Sequence, residues 1–167
     1  MLNTNRLLIP TVLTFAACLD ASAAKAGGAP CYNNASLKGT YAVVATYGAN
    51  IALALAIRHF DGHGNLTGAF TLNAPDPAST TGGRKISTGT QVGTYTVNCD
   101  GTGVETRTLT SSTGVVTTQT DDFVITKAKE NEDGGLLATA LEDAQTTPSA
   151  IVSGGIFLFR HFTRRPD

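Results

Sequence analysis

Charged side chains inside segments that alternate like β-strands are the residues of this chain best suited to chemistry. Charged residues make up only 15% of the 167 residues, compared with roughly 25% in an ordinary soluble domain. Glu105 and Arg107 are two residues apart and share one face of a strand, as Arg160 does with Leu158 and Phe162. Inside a closed sheet, such a charge needs a partner of opposite sign and would mark the polar end of a pocket. On the outer face each charge would simply be solvated.

Six residues are predicted to bind a small molecule in such a pocket. Two tyrosines occupy equivalent places in two Gly-Thr-Tyr blocks, and His59 lies on the bulkier face of an alternating segment. A tyrosine or histidine in such a place is more often a core residue than a ligand contact, and that alternative stays open. Arg58 and Glu142 also fall within predicted strands. The candidate ligand-binding residues are Tyr41, His59, Tyr95, Glu105, Arg107 and Arg160.

Motifs for metal binding, nucleophilic catalysis and phosphate binding do not fit the sequence. His59 and His63 are separated by a turn, and the three histidines lack the spacing of a zinc site. Asp61–Asn65 begins like a calcium loop, but the sixth and twelfth positions hold Leu66 and Leu72 instead of Gly and Glu. The sequence contains neither a Gly-x-Ser-x-Gly elbow nor a Gly-Lys-Ser/Thr loop. It therefore predicts no metal and no cofactor, and it identifies no catalytic residue.

Residues 1–23 are predicted to be a secretory signal peptide. A short apolar run follows an arginine and leads to Ala21-Ser22-Ala23, which is the order of a signal and its cleavage site. Lipoprotein processing at Cys18 is the alternative, although Phe15 stands where a lipobox normally carries Leu or Val. The run is too short to span a bilayer. The chain is therefore expected to be secreted or periplasmic, with no transmembrane segment.

Cys31 and Cys99 are the two cysteines that remain after removal of a signal peptide. An even number of cysteines in an oxidising compartment predicts a disulfide between them. The bridge would hold the start of the mature chain against the rest of the domain. Two buried free thiols are the less favoured alternative.

The hydrophobic pattern from Gly39 onward has period two, with Gly, Asn and Asp at the turns, which indicates strands. An eight-stranded antiparallel up-and-down sheet has unpaired edges unless it closes. The predicted fold is therefore all-β, an eight-stranded antiparallel up-and-down barrel, with a β-sandwich as second choice. A bulge is expected at Gly89 or Gly93. The predicted segments are a signal at 1–23, an N-terminal segment at 24–38 and a barrel at 39–167. The predicted strands are 39–47, 50–60, 66–73, 86–98, 104–110, 115–126, 136–142 and 156–163. A loop is expected at 74–84 and an exposed charged stretch at 127–133, for which a helical turn is one reading.

Two blocks of the sequence share a signature of turns and strands. Gly39-Thr40-Tyr41 leads to Phe60-Asp61-Gly62-His63-Gly64-Asn65, and Gly93-Thr94-Tyr95 leads to Cys99-Asp100-Gly101-Thr102-Gly103. Over residues 31–163 the chain resembles a group of secreted bacterial proteins associated with the allene oxide cyclase and dirigent-like eight-stranded barrels. The resemblance implies an eight-stranded, calycin-like barrel fold. The catalytic pattern of the plant cyclase does not map onto this chain, so no catalytic residue is carried over.

Three functions follow from these features. The favoured one is a secreted, disulfide-bonded barrel that binds a small, largely apolar molecule in its interior. The second is a cyclase or isomerase on the same barrel, with catalysis from polar groups near Glu105, Arg107 or Arg160. The third is a non-catalytic surface or matrix protein with a solid core. Nucleic acid is excluded as a partner, because a net charge of −1 provides no basic surface for phosphates.

Overall fold

The computed structural model describes residues 30–47, 52–76, 78–147 and 159–166. The predicted signal peptide and Cys18 lie outside the described residues. A 3₁₀ turn at Asn34–Ser36 precedes eight strands. The strands are β1 (Lys38–Tyr47), β2 (Ala52–Asp61), β3 (Asn65–Pro75), β4 (Arg84–Val97), β5 (Thr102–Ser111), β6 (Val116–Glu130), β7 (Leu136–Gln145) and β8 (Phe159–Arg164).

The eight strands form a closed antiparallel barrel. Each strand pairs with the next along the chain, and β8 pairs with β1 from Tyr41 opposite Arg164 to Thr46 opposite Phe159. This confirms the predicted up-and-down barrel, and the sandwich alternative is wrong. Closure satisfies the backbone groups that the first and last strands of an open sheet would leave unpaired. Within the described ranges, no helix has the length and apolar character needed to cross a membrane.

Two local predictions along the strands are wrong. β4 pairs continuously with β3 and with β5, so Gly89 and Gly93 do not form a bulge. A Cβ at either glycine would lie within 2.3 Å of a carbonyl oxygen on the neighbouring strand, so these positions permit close approach of the backbones. The register instead shifts between Ile125 and Ala128 of β6. The stretch 127–133 is charged and mostly exposed, as predicted, but β6 continues through it as far as Glu130, so the helical turn that was one reading of it does not form there.

The face of β2 that points into the barrel is the one with the alanines, not the one with the bulky aliphatic side chains. Arg58 and Phe60 are buried, whereas Leu55 is 63% exposed and His59 is also exposed. His59, which was predicted to bind a ligand in the pocket, therefore does not point into the barrel, and that prediction is wrong. Alanines at alternate positions of the inner face leave room for the large side chains of Arg58 and Phe60, whose partners lie inside the barrel. The outer surface of β2 is consequently apolar.

A packed apolar core fills one end of the barrel. The Phe60 ring makes edge contacts with Tyr41 and Tyr95, at centroid distances of 5.4 and 5.1 Å. The Tyr95 hydroxyl donates to the carbonyl of Leu37 at 2.8 Å, and Leu37 is completely buried. The core cluster also contains Val43, Leu66, Phe123, Ile125, Ala138, Leu141 and Phe162. Among the described residues, these side chains fill this end of the barrel.

The segment before β1 is attached to this packed end. Asn34 accepts a hydrogen bond from the Val97 amide at 2.9 Å, and the Tyr32 amide donates to the Cys99 carbonyl at 3.1 Å. Cys31 and Cys99 form a disulfide, with their Cα atoms 4.6 Å apart. The predicted disulfide is confirmed.

Loss of this disulfide is expected to lower the free energy of unfolding by up to about 4 kcal/mol, because the bridge joins residues 68 apart in sequence. Urea titration of oxidised and reduced protein, with the Cys31→Ser, Cys99→Ser double variant as a reagent-free control, measures the difference. Non-reducing peptide mapping should recover the two peptides linked. Alkylation of both thiols in unreduced, denatured protein would contradict the bridge.

Candidate functional site

Six buried ionisable side chains form a layer across the middle of the barrel. On β2, Arg58 precedes Phe60 by two residues, and on β8, Arg160 precedes Phe162 by two residues, so the layer stacks directly on the aromatic core. Each of the six side chains belongs to a residue that is no more than 3% exposed. The layer contains Arg58, Arg107, Arg160, Glu105, Asp121 and Asp143.

Arg107 is held by groups on three strands. Its Nε and Nη2 donate to Asp121 Oδ2 at 2.8 and 2.6 Å, and Nη2 also donates to Gln119 Oε1 at 3.1 Å. Its Nη1 donates to Gln91 Oε1 at 3.1 Å, and Nε lies 3.1 Å from Glu105 Oε1. The guanidinium plane is therefore fixed in position by charge-assisted hydrogen bonds.

Arg160 joins β8 to the acids of β6 and β7. Its Nε donates to both carboxylate oxygens of Asp143, at 2.7 and 2.8 Å, and its Nη2 donates to Asp121 Oδ1. Asp121 is therefore shared by Arg160 and Arg107, which lie on opposite sides of it along the sheet. Removal of either arginine would leave a buried carboxylate with too little compensation.

Arg58 reaches across the interior from β2. Its Nη1 donates to Glu105 Oε1, its Nη2 donates to Gln91 Oε1 at 3.2 Å, and its guanidinium carbon lies 4.8 Å from the centre of the Phe162 ring. Arg58 Nη1 also lies 3.8 Å from Asp143 Oδ2. These contacts complete one connected network of ion pairs.

Burial and neighbouring charges shift the ionisation of this layer in different directions. Burial raises the pKa of Asp143 to about 7, even though Arg160 and Arg58 favour its charged form. Burial also opposes ionisation of Asp121, but Arg160 and Arg107 hold the pKa of that carboxyl below its ordinary value. Burial lowers the pKa of Arg58 to about 10, so this side chain remains charged at neutral pH. Of these two aspartates, Asp143 is therefore the one whose pKa lies above its ordinary value.

The three acids alone resemble a metal site, but the arginines change their chemistry. One carboxylate oxygen each of Glu105, Asp121 and Asp143 lies within 4.8 Å of the other two. Each of these carboxylates already accepts from a guanidinium group. The positive charge that a cation would supply is therefore provided by the chain itself, and the arrangement is an ion-pair network.

Two glycines opposite the arginines give the layer its space. Gly68 pairs with Arg58 and with Gln91, and Gly93 pairs with Arg107. A Cβ at Gly68 would lie 2.9 Å from Gln91 Nε2 and 2.3 Å from a backbone carbonyl oxygen. A glycine at this position therefore lets the Gln91 amide occupy the space where another side chain would stand.

A cavity of about 670 Å³ occupies the end of the barrel away from the packed core. Its floor is polar and consists of Arg58, Gln91, Arg107, Gln119 and Arg160. Apolar side chains line its walls, namely Val43, Ala45, Ala54, Ala56, Phe70, Leu72 and Leu109, and the rim includes Lys85, Ile86, Ser87, Ser111, Ser112, Thr113, Val115, Thr117 and Thr118. The barrel is thus packed at one end and hollow at the other.

Among the described residues, three buried polar atoms at this layer have no hydrogen-bond partner, namely Arg58 Nε, Gln91 Nε2 and Glu105 Oε2. Gln91 Oε1 accepts from both Arg58 and Arg107, which fixes the amide and directs its NH₂ group away from those two arginines. Gln91 and Arg58 are 2% and 1% exposed. Burying such groups without a partner costs free energy, and none of the three atoms has surface exposed to the cavity.

The structure brings together only part of the predicted set of ligand-binding residues. Arg107 and Arg160 line the cavity, and Glu105 is buried in the same network. Tyr41 and Tyr95 belong to the packed core. His59 lies on the outer face, where it is 3.3 Å from the Thr40 hydroxyl. Glu142, also noted as a strand charge, is half-buried and lies 3.5 Å from His161. Sequence reasoning left out Gln91, Gln119, Asp121 and Asp143 and did not include Arg58 in the ligand set.

Comparisons with protein-family models, with curated proteins and with solved structures found no match. The description of this protein therefore rests on its fold and its site. The protein is an eight-stranded antiparallel barrel with a buried ion-pair layer beneath an apolar-walled cavity.

Proposed function

We propose that this protein binds a small, largely apolar molecule, with one polar end, in the barrel cavity. The observation that carries the proposal is the cavity itself, because its apolar walls stand over a polar floor. A volume of about 670 Å³ lies within the range of small-molecule sites. The apolar part of the ligand would contact the aliphatic walls, and its polar part would face the floor.

The cavity also bears on the alternatives. A matrix protein with a solid core does not account for the hollow end of the barrel. We infer from the Gly-Thr-Tyr blocks and the barrel that the chain groups with the allene oxide cyclase and dirigent-like barrels. A cyclase or isomerase activity remains an extension of the binding function, to be assigned only if the bound molecule is converted.

Filling the cavity is expected to abolish binding. Leu109→Trp places a large ring on the inner wall, whereas Leu55→Trp places the same ring on the outer surface, where Leu55 is 63% exposed. The fluorescence of the neutral apolar probe 1-aminoanthracene should rise when the unchanged protein or Leu55→Trp is added. Titration of the same probe with Leu109→Trp should give an affinity at least about tenfold weaker. Equal binding by both variants would contradict the cavity as the site.

Native mass spectrometry of protein purified from its own host identifies the natural ligand. A co-purifying mass that is lost in Leu109→Trp and retained in Leu55→Trp supports the proposal. Incubation of that molecule with the protein, followed by analysis of the products, separates a binding protein from an enzyme.

We also propose that the protein is exported and acts outside the cytoplasm. The Cys31–Cys99 disulfide supports this location, because disulfides persist mainly in oxidising compartments. N-terminal sequencing should find a mature chain that begins near Ala24. A blocked and acylated Cys18 would show lipoprotein processing instead.

A further inference from the structure

A ring of exposed apolar side chains surrounds the open end of the barrel, where the even-numbered strands begin. Each of its five residues is at least half exposed. Two of them, Ile86 and Val115, also line the cavity, so the ring continues the apolar walls of the cavity to the surface. We call this set the mouth ring; it consists of Leu53, Ile86, Val115, Val116 and Phe159.

Part of the mouth ring is contiguous across the sheet. Thr46 of β1 pairs with Phe159 on one side and with Leu53 on the other. Asn73 of β3 pairs with Leu53 and with Ile86. These five residues therefore form one uncharged row across five neighbouring strands. Single exposed apolar residues are ordinary, whereas a contiguous apolar surface around a cavity indicates contact with another apolar surface.

Charged residues are distributed unevenly between the two ends of the barrel. Around the mouth, the described residues carry two cations, Arg84 and Lys85, and one acid, Asp76, which accepts from the Ala78 amide in its own loop. The open end therefore has a small excess of positive charge and few charges to desolvate. The turns and terminal segments at the packed end carry many more charges, including Lys38, Asp61, Asp100, Lys129, Glu130, Glu132, Asp133, Arg164 and Arg165.

The two cations at the mouth favour a lipid surface as the partner of this end. Arg84 is held in place by Asn73, whose side-chain and backbone oxygens accept from it at 2.9 and 3.0 Å. Basic side chains beside apolar ones suit a membrane interface, because the apolar groups enter the acyl region while the cations meet lipid phosphates. A second copy of the chain fits less well, because a two-fold contact between two mouths would bring their cations together.

We propose that the open end of the barrel docks on an anionic phospholipid membrane, with the mouth ring in the interface and with Arg84 and Lys85 against lipid phosphates. The cavity would then open toward the acyl chains, which gives an apolar ligand a path that avoids water. Docking goes beyond the proposed function and is measured without any ligand in the cavity.

Two single-tryptophan variants locate the contact, because the chain contains no tryptophan of its own. Val115→Trp places an indole in the mouth ring, and Val124→Trp places one on the outer face of β6 near the packed end, where Val124 is also exposed. Each disulfide-bonded, signal-free variant is titrated with vesicles of brominated phosphatidylcholine, with and without phosphatidylglycerol. In the anionic vesicles, the brominated chains are expected to quench Val115→Trp by at least about half and Val124→Trp by less than about a tenth.

Two further pairs of variants separate charge from apolar contact. Lys85→Gln should weaken binding to the anionic vesicles about fivefold, whereas Lys129→Gln at the packed end should change it by less than about twofold. Val116→Asp adds a charge to the mouth ring and should weaken binding at least about tenfold, whereas Val124→Asp should weaken it by less than about threefold. Co-sedimentation with sucrose-loaded vesicles measures the four affinities.

Equal quenching of the two tryptophans, or quenching of neither, would overturn docking through the mouth, and this comparison decides the question even if Val116→Asp does not fold. A dimer without vesicles that Val116→Asp dissociates in analytical ultracentrifugation would assign the mouth ring to a second copy of the chain and overturn the membrane proposal.

Binding of 1-aminoanthracene without vesicles tests the cavity separately. Val116 is not among the described residues that line the cavity, so Val116→Asp should retain this probe while it loses the vesicles. Failure of the unchanged protein to bind the probe, with vesicle docking intact, would contradict the proposed function alone.

Discussion

Replacing Arg160 with leucine is expected to lower the free energy of unfolding by about 3–5 kcal/mol. Arg160 donates to both oxygens of Asp143 and to Asp121, and all three residues are almost completely buried. Leucine would leave both carboxylates in a water-poor interior without that cation. The loss comes mainly from the uncompensated acids, since a buried ion pair compared with apolar residues contributes little net stability.

Arg165→Leu is the matched control, because Arg165 follows β8 and its side chain is exposed. Its expected effect lies within about 0.5 kcal/mol. Urea denaturation of both variants and the unchanged protein at pH 7 measures the difference. A change below about 1 kcal/mol for Arg160→Leu would mean that the buried acids do not depend on this arginine.

The sequence was sufficient for the barrel because its turns and its period of two are local signals. Eight alternating segments joined mostly by short Gly-, Asn- and Asp-containing turns admit few arrangements other than neighbouring antiparallel strands. Closure then follows from the need to pair the edges. These signals set which strands pair, and the structure reproduces that order from β1 to β8.

The direction in which each face points was harder to predict, because both faces of some strands carry apolar residues. In β2 the bulky aliphatic face meets solvent, and the alanine face carries Arg58 inward. The decision depends on long-range partners such as Glu105, which lies 47 residues away in sequence. A hydrophobicity pattern contains no information about such a partner.

Only part of the charged layer could be predicted from the sequence, for a related reason. Glu105 and Arg107 stood out because both are separated from other charges by threonine or valine. Asp121 is followed by Asp122, and Asp143 is preceded by Glu142, so each pair places an acid on both faces of its strand. A hydrophobic pattern of period two does not show which acid of such a pair points into the barrel. The interior arginines determine which acid points inward, because they form ion pairs with Asp121 and Asp143.

The stability of the protein is expected to fall as the pH rises from about 4 to about 7, and Asp143 is the cause. Its pKa is raised to about 7 in the folded protein, compared with 3.8 in the unfolded chain. In that pH range the folded state holds a proton that the unfolded state has released, so the folded state binds more protons. The contribution of Asp143 to the free energy of unfolding is fully present below pH 4 and is lost as the pH passes 7. One pKa unit corresponds to about 1.4 kcal/mol, so the loss is of the order of 4 kcal/mol.

Asp143→Asn isolates this contribution, because an amide keeps an oxygen near Arg160 Nε and does not titrate. The fall in unfolding free energy between pH 4 and pH 7 should be much smaller in Asp143→Asn than in the unchanged protein. Asp133→Asn changes an exposed residue in the turn after β6 and should retain the full slope. Urea denaturation at half-unit pH steps gives the three curves. Parallel curves for Asp143→Asn and the unchanged protein would show that Asp143 is already ionised throughout this range, held so by Arg160 and Arg58.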